Sequence, residues 1–569
     1  MPILKQIFKI LSEQNKKKIY FLVFLSLVGM NLEIIGISMI MPLLIMFTDS
    51  GSIPVYLIQT FDNLDVRLNT HETITIILVA LLIFFLIKFL FLLYLSYKQQ
   101  SFVYRLQAQL STLMFRGYLL APFSFHLRHN STELIRNVIG EVHQFTGAVL
   151  ALLVFITEVL VLIGLIILLL FIEPAGAIVS FVVLGMSGLI FDTFSKKYVK
   201  NWGFKRQKYE GTRLRHLNQG LNAYKEIKIS STEEVFISKY NIDTVGVSEM
   251  EIKANVLSNT PKLGLELLAV LGVFVLIFTL FNLGKAFNEI VPIIAIFSIA
   301  AFRIMPSVNR LINTGQVIRY HLAVIMMLEK EITYFKSLIK EKHNKEFKIN
   351  GIEINDVNFK YEVNKELTLK NINIKIKNGE FIGIIGQSGS GKSTLINLIL
   401  GLLEPSKGTI KSYKKNISSD IVGWQSQIGY VPQDVYLIDD TIKNNIAFGL
   451  NNTEVNDKKL KEAIKVSSLE FFLDGLPLGL DTIVGEKGDL ISGGQKQRIG
   501  LARAIYNNPK ILILDEATSA LDGKIEKSII DNLNKLSSNT IIIMVTHREK
   551  SLKYCDNIYE VVNKTLVKK

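Results

Sequence analysis

The segment Gly386-Gln387-Ser388-Gly389-Ser390-Gly391-Lys392-Ser393-Thr394 constrains the fold more than any other part of the chain. Glycines at this spacing let consecutive backbone N–H groups turn inward onto phosphate oxygens. The lysine then reaches the β and γ phosphates of ATP and the first hydroxyl holds Mg²⁺. Such a loop has to sit between a strand and a helix. Here an apolar run from Phe381 to Gly386 precedes it and an apolar helical stretch from Ser393 to Leu400 follows. A chance glycine-rich turn would lack that frame.

Downstream, Ile511-Leu512-Ile513-Leu514-Asp515-Glu516 is a continuous aliphatic run that ends in two acids. It predicts a parallel strand buried on both faces, with the acids at the carboxyl end, where ligands bind in open α/β sheets. Asp515 is placed for the Mg²⁺ shell and Glu516 to polarise an attacking water. Two acids at a strand end are otherwise a solvated terminus or a helix cap, but behind a phosphate loop they acquire a use.

Between these motifs lies Ile491-Ser492-Gly493-Gly494-Gln495, opening a helical stretch from Lys496 to Tyr506. Here the chain resembles the ATP-binding cassette (ABC) family, over the whole segment from about residue 350 to the C-terminus. The resemblance implies an adenine-stacking role for Tyr361, a Q-loop glutamine at Gln433 beside the Mg²⁺ and the attacking water, and a D-loop at Ser519 to Asp522. It also implies a switch histidine at His547, ATP contacts along Gly386 to Thr394, and contacts from Ser492, Gly493, Gly494 and Gln495. Ile491 stands where the family usually has leucine, a volume-conserving exchange, and Thr546 before the histidine is a second departure. In this family one cassette's phosphate loop and another's signature helix sandwich each ATP. The chain has one copy of each motif, so a homodimer is the simplest expected assembly, with a heterodimer of related halves as the alternative.

Composition divides the chain in two. With 569 residues, 49% of them hydrophobic, it is long enough for several domains and apolar for a soluble enzyme. The reading is a multi-domain α-helical membrane protein joined to an α/β P-loop NTPase cassette: a transmembrane domain over 1–335, a linker over 336–348 and the cassette over 349–569. Spans of about 20 apolar residues are expected near 19–47, 73–97, 145–171, 175–194, 256–283 and 288–314, giving about six transmembrane helices of the ABC exporter type. The single cysteine, Cys555, excludes an intrachain disulfide and reads as a buried spectator.

Lysines at 5, 9, 16, 17 and 18, and the basic long loops, place the N-terminus and cassette in the cytoplasm, whereas 48–72 carries Arg67 against four acids. The first span reads as an uncleaved anchor. A formal net charge of +14 does not indicate nucleic acid here, because the basic residues flank spans, next to anionic lipid headgroups, and no nucleic-acid motif is present. Short helical patches around Pro122 to Glu133 and Gln219 to Glu233 sit where the family has coupling helices.

Ionisable groups inside the spans are costly and persist only with a partner or a role. Lys88, Lys262, Arg303 and Arg310 are the basic ones, and all cluster in the cytoplasmic half: Lys88 and Arg303 lie roughly 20 to 25 Å from the outer ends of their spans. Such cations suit an anionic headgroup. Equally, they snorkel to lipid phosphates or pair with Glu33, Glu158 and Glu266, the last four residues from Lys262.

The stretch Phe302-Arg303-Ile304-Met305-Pro306-Ser307-Val308-Asn309-Arg310, with Glu33 to Ser38 in the first span, is similar to the lipid-linked oligosaccharide flippases of bacterial protein glycosylation, the PglK type. That likeness implies a bacterial inner (plasma) membrane protein. It also implies ATP-driven movement of a polyprenyl-pyrophosphate glycan from the cytoplasmic to the outer leaflet, with the four cations at the pyrophosphate. Lys88 and Lys262 stand where that family has arginine, and lysine lacks the planar fork that binds phosphate. Residues Ile53 to Phe61 fall where the family has an outer amphipathic helix. The alternatives are an exporter of another amphipathic cargo (lipid, drug or peptide) and an ATP-binding membrane switch without transport, against which Glu516 and His547 argue.

Overall fold

The computed structural model describes residues 2–39, 70–172, 174–282, 287–338, 347–361, 366–537 and 539–569, with some side chains inside these spans, including that of Arg303, outside the description. The expected outer helix at Ile53 to Phe61 therefore lies outside the described residues. Contacts divide the chain into two units, Met1–Ala121 with Phe125–Ile339, and Pro122–Ser124 with Lys340–Lys569.

Among its described residues the first unit consists of helices and short turns, without strands. Its long helices are Glu13–Ser38, Thr70–Leu120, Val142–Ile172, Pro174–Asn222, Glu233–Asn282 and Phe287–Tyr320; the described part of each expected span falls on one of them, while residues 40–47 of the first and 283 of the fifth lie outside the described residues. Among the described residues three helices are long and apolar enough to cross a membrane, or four if the pair 304–320 and 322–338, bent by 50°, is one span. In hydrocarbon only internally bonded backbone is tolerated, which is why apolar runs of this length become helices. Leu82, Phe89, Phe171 and Phe274 are more than half exposed, an apolar surface that water would penalise and lipid would cover. The helices of the fourth and fifth spans run far beyond their apolar parts, as the likeness to ABC exporters implies, so most of the polar stretch between those spans is helical. Short helices Phe123–His126, Ser131–Arg136 and Tyr224–Ser230 occupy the two stretches where helical patches were expected. The helix Leu322–Leu338 continues through Lys336, so the expected linker starts inside a helix.

Close helix contacts depend on small residues. A Cβ at Gly203 would lie 1.9 Å from the carbonyl oxygen of Tyr320, so only glycine lets those two backbones meet. Some polar groups within the bundle pair with one another: the Ser26 and Thr157 hydroxyls are 2.8 Å apart, and Gln99 donates to Thr157.

In the second unit, strands β1 (Ile352–Phe359), β2 (Leu369–Ile376), β4 (Lys407–Ser412) and β5 (Lys415–Asn416) form an antiparallel sheet. Strands β3 (Phe381–Ile385), β6 (Ile428–Val431), β7 (Ile511–Asp515), β8 (Ile541–Val545), β9 (Asn557–Val562) and β10 (Thr565–Lys568) form a second sheet in the order β10-β9-β3-β8-β7-β6. Its β9-β3-β8-β7-β6 pairings are parallel. Alternate residues of one strand serve opposite cores: Ile511 and Ile513 join one cluster and Leu512 and Leu514 the other. Burial on both faces explains the unbroken aliphatic run.

Trp424 is fully buried and donates from Nε1 to the Ile399 carbonyl at 2.8 Å. Trp424→Ala is expected to cost about 3–5 kcal/mol, read as a lower cassette melting midpoint of the full chain; an unchanged midpoint would contradict this packing.

Candidate functional site

The turn after β3 has three glycines at positive φ: Gly386 at 152°, Gly389 at 79° and Gly391 at 110°. A Cβ on Gly386 would come within 2.8 Å of both the Ser390 hydroxyl and the Val561 carbonyl, and one on Gly391 within 2.8 Å of Leu369. Glycine is needed here for both conformation and space. The loop opens the helix Lys392–Ile399. Lys392 is buried, and its ammonium bonds back to the carbonyls of Gly386 at 2.7 Å and Gln387 at 3.0 Å. That holds the loop in a ring around the charge. Gln387, Ser388 and Ser393 are exposed on the loop, while the Ser390 hydroxyl is buried without a hydrogen-bond partner among the described residues. Thr394 is bonded to the Tyr361 hydroxyl at 3.1 Å, which ties the expected adenine platform to the loop helix.

An unpartnered buried hydroxyl, a curled backbone with room only for glycine, and a buried ammonium together fit a phosphate chain. Ser393 and Asp515 supply hard oxygen donors of the kind Mg²⁺ takes. When bound, Mg²⁺ would supply charge neutralisation at phosphate oxygens. Asp515, at the end of β7, is buried, and its carboxyl sits above the usual range because burial and the neighbouring Glu516 outweigh the pull of Lys392.

Glu516 adopts a left-handed backbone at φ 50°, unusual outside glycine and often seen at functional sites. Its N–H donates to the Val545 carbonyl at 3.0 Å. Gln433 Nε2 donates to its Oε2 at 2.9 Å, and His547 Nε2 lies 3.3 Å from its Oε1. The three expected catalytic residues therefore meet on one carboxylate. Gln433 uses its amide N–H on Glu516, so its amide oxygen is the atom it has left for a metal.

Ser492 caps the helix Gly493–Ile505 reciprocally: its hydroxyl accepts from Gln495 N–H, and Gln495 Oε1 accepts from Ser492 N–H at 2.8 Å. Asp522 is the N-cap residue of the helix Gly523–Leu536 and is exposed, without a side-chain capping bond. Among the described residues no hydrogen bond joins Ser492 to Gln495 with the phosphate loop.

Sequence reasoning missed Gln497. It is buried, accepts from Ala520 N–H at 3.0 Å, and donates to the Ser519 hydroxyl at 3.0 Å and the Glu516 carbonyl at 3.4 Å. One amide thus links the helix Gly493–Ile505, the expected D-loop and Glu516. The available signal was an amide on the buried stripe that Leu501 and Ile505 continue. Arg548 was missed too; it donates to the Ser519 carbonyl and to Glu526.

The intramembrane cations separate. Lys88 lies 2.8 Å from Glu33, both nearly buried, with the Phe85 ring centroid 4.8 Å from its ammonium. Arg310 Nε lies 2.7 Å from Glu158 Oε1, yet the arginine side chain remains 46% exposed. Lys262 is exposed, and among the described residues no ion pair joins it to Glu266. Arg303 lies on the helix Phe287–Tyr320, and its side chain is outside the description.

Because the folded state raises the Asp515 carboxyl above its ordinary value, its ionised form opposes folding at neutral pH. Asp515→Asn should therefore raise the nucleotide-free melting midpoint while removing Mg²⁺-dependent nucleotide binding. A lower midpoint would contradict the assigned strain.

Residues 369–519 match the ABC transporter family, and residues 19–307 match the ABC transporter transmembrane region. A putative export ATP-binding/permease protein of Rickettsia typhi is 41% identical over 241 residues, 41% of each chain. A putative multidrug export ATP-binding/permease protein of Staphylococcus aureus (strain bovine RF122 / ET3-1) is 43% identical over 223 residues, 39% of this chain and 38% of the relative. The chain thus matches about two fifths of the length of these relatives. A solved bacterial Atm1-family ABC exporter with ATP bound superposes with a TM-score of 0.80, covering 97% of this chain and 94% of that one at 20% identity, which establishes a shared fold. With a matching transmembrane region, a matching cassette and that fold, the chain belongs to the ABC transporter family and is a multi-pass membrane protein.

Proposed function

We propose that the chain is an ATP-hydrolysing exporter that works as a pair of identical copies and flips a lipid-linked oligosaccharide from the cytoplasmic to the outer leaflet of a bacterial inner membrane. The observation that supports hydrolysis best is the convergence of Gln433 and His547 on Glu516. A carboxylate held at both oxygens is oriented to take a proton from water, and His547 and Gln433 keep it from swinging. Lys392 and the loop N–H groups bind the β and γ phosphates, and Ser393, Gln433 and Asp515 are the residues for Mg²⁺.

The N-terminus of the signature helix has no phosphate loop bonded to it among the described residues. The second copy's loop is the natural complement, with ATP between Lys392 of one copy and Ser492 of the other. Closure is driven only by the greater affinity of ATP for the closed pair, and the short helices at the loop tips would carry that motion to the bundle.

For the cargo, support comes from Arg310, which stays half exposed although ion-paired, and from the exposed Lys262; Arg303 is seven residues from Arg310, on nearly the same helical face. Lys88 gives less support, because Glu33 and Phe85 already surround its ammonium. The name of the Staphylococcus aureus relative, a putative multidrug exporter, favours a second reading, export of another amphipathic cargo such as a drug.

The test is reconstitution in liposomes with a fluorescent polyprenyl-pyrophosphate glycan. Glu516→Gln should still bind ATP but hydrolyse it at least ~100-fold more slowly, the scale of a lost general base, and should not move lipid. Arg303→Ala with Arg310→Ala should keep ATP hydrolysis and lose movement. Hydrolysis near the parent rate in Glu516→Gln would defeat the base assignment, and drug-stimulated turnover indifferent to the arginines would favour the second reading.

A further inference from the structure

Two of the ion pairs that bridge separate helices of the bundle, Lys88 with Glu33 and Arg310 with Glu158, differ in what they leave available. The Lys88 ammonium is a point charge, nearly buried between Glu33 and the Phe85 ring. Arg310 is planar, with five N–H donors on two edges. Its Nε lies against Glu158 Oε1, while Glu158 Oε2, buried, accepts no hydrogen bond among the described residues. The pair is therefore not the two-pronged fork in which a carboxylate occupies two guanidinium nitrogens. Glu158 is nearly buried and belongs to the helix Val142–Ile172, whereas Arg310 belongs to Phe287–Tyr320 and is 46% exposed. A carboxylate fixed in one helix thus holds the near edge of an arginine from another.

We infer that Glu158 is a positioning residue for anionic lipid headgroups: it clamps Arg310 by its Nε edge and presents the Nη edge as a two-pronged donor to a diphosphate. This rests on the flippase reading above and narrows it, since it makes Arg310 the headgroup ligand and Lys88 a helix-to-helix tie. Two adjacent phosphoryl groups can use both Nη donors; a monophosphate on a flexible lipid gains less from a fixed orientation. A free arginine would pay the entropy of ordering a long side chain on each binding event, and the clamp removes that cost.

An opposing effect has to be weighed. Glu158 is negative and close, so it also repels an anion. If repulsion dominated, removing the acid would tighten binding, whereas orientation predicts the reverse. The missing hydrogen bond at Oε2 favours orientation, because a carboxylate that served only to neutralise Arg310 would take both prongs of the guanidinium.

The test uses the full-length protein in phosphatidylcholine vesicles doped with polyprenyl diphosphate, polyprenyl monophosphate or polyprenol, reading ATPase stimulation of each variant over its own basal rate. Glu158→Gln retains an oxygen that accepts from Nε–H; Glu158→Leu retains none. The half-saturating diphosphate lipid concentration should rise in the order parent, Gln, Leu, by about tenfold for Leu, which is about 1.4 kcal/mol. The preference for diphosphate over monophosphate should shrink in parallel. Equal values, or tighter binding in either variant, overturn the clamp while leaving the flippase reading standing. If Glu158→Leu does not fold, Glu158→Gln alone decides by the loss of diphosphate preference. A parent protein stimulated equally by polyprenol overturns both the clamp and the reading beneath it.

Discussion

The parallel alignment of β3, β8, β7 and β6 is the constraint on which the cassette's chemistry depends. Neighbouring parallel strands end on one edge, and ligands bind beyond that edge. β3 delivers the phosphate loop, β8 delivers Thr546 and His547, β7 delivers Asp515 and Glu516, and β6 leads into Gln433. The ladder Ile384 to Val545 to Asp515 fixes their relative heights. A slip of one residue would turn each strand's aliphatic set to the opposite face, and with it the catalytic edge. Two apolar clusters, one on each face of this sheet, therefore set the geometry at Glu516.

Chain order and residue type made the cassette edge legible in advance. The aliphatic run into Asp515 and Glu516 has a single reading once a phosphate loop precedes it, and the glycines at 386, 389 and 391 occupy positions where the backbone admits little else. Gln497 was not legible, because its role lies in three contacts to a distant turn and nothing in its local pattern names them. The bundle was legible as long helices but not as pairings. Helical spacing pointed to Lys262 with Glu266, whereas the ion pairs that form around the other cations cross between helices, Lys88 to Glu33 and Arg310 to Glu158. Periodicity along one helix does not determine which face meets which neighbour. Nor did composition show that helices continue through the polar stretch after the fourth span, because in long exporter-like helices the apolar length and the helical length are different quantities.

These pairings alter the view of the cations in the bundle. Charge in a low-dielectric interior is costly unless paired, and the bundle has met that cost in two ways. Around Lys88 the compensation is nearly complete and buried. Around Arg310 it is one-sided, leaving a half-exposed guanidinium anchored to a second helix. The same contrast appears in the cassette, where Asp515 carries a carboxyl raised by burial and by Glu516, an arrangement less stable by itself than with a cation present.

The central proposal is that each ATP site is shared between two copies of the chain. It is tested most directly by mixing Lys392→Ala with Ser492→Arg copies, each inactive alone, and measuring ATP hydrolysis by purified mixed pairs. Shared sites predict one intact site per mixed pair, formed by the unaltered loop of one copy and the unaltered signature of the other, so hydrolysis returns to about half the parent rate on the two-fold symmetric arrangement. Mixed pairs as inactive as either variant alone would contradict the shared site.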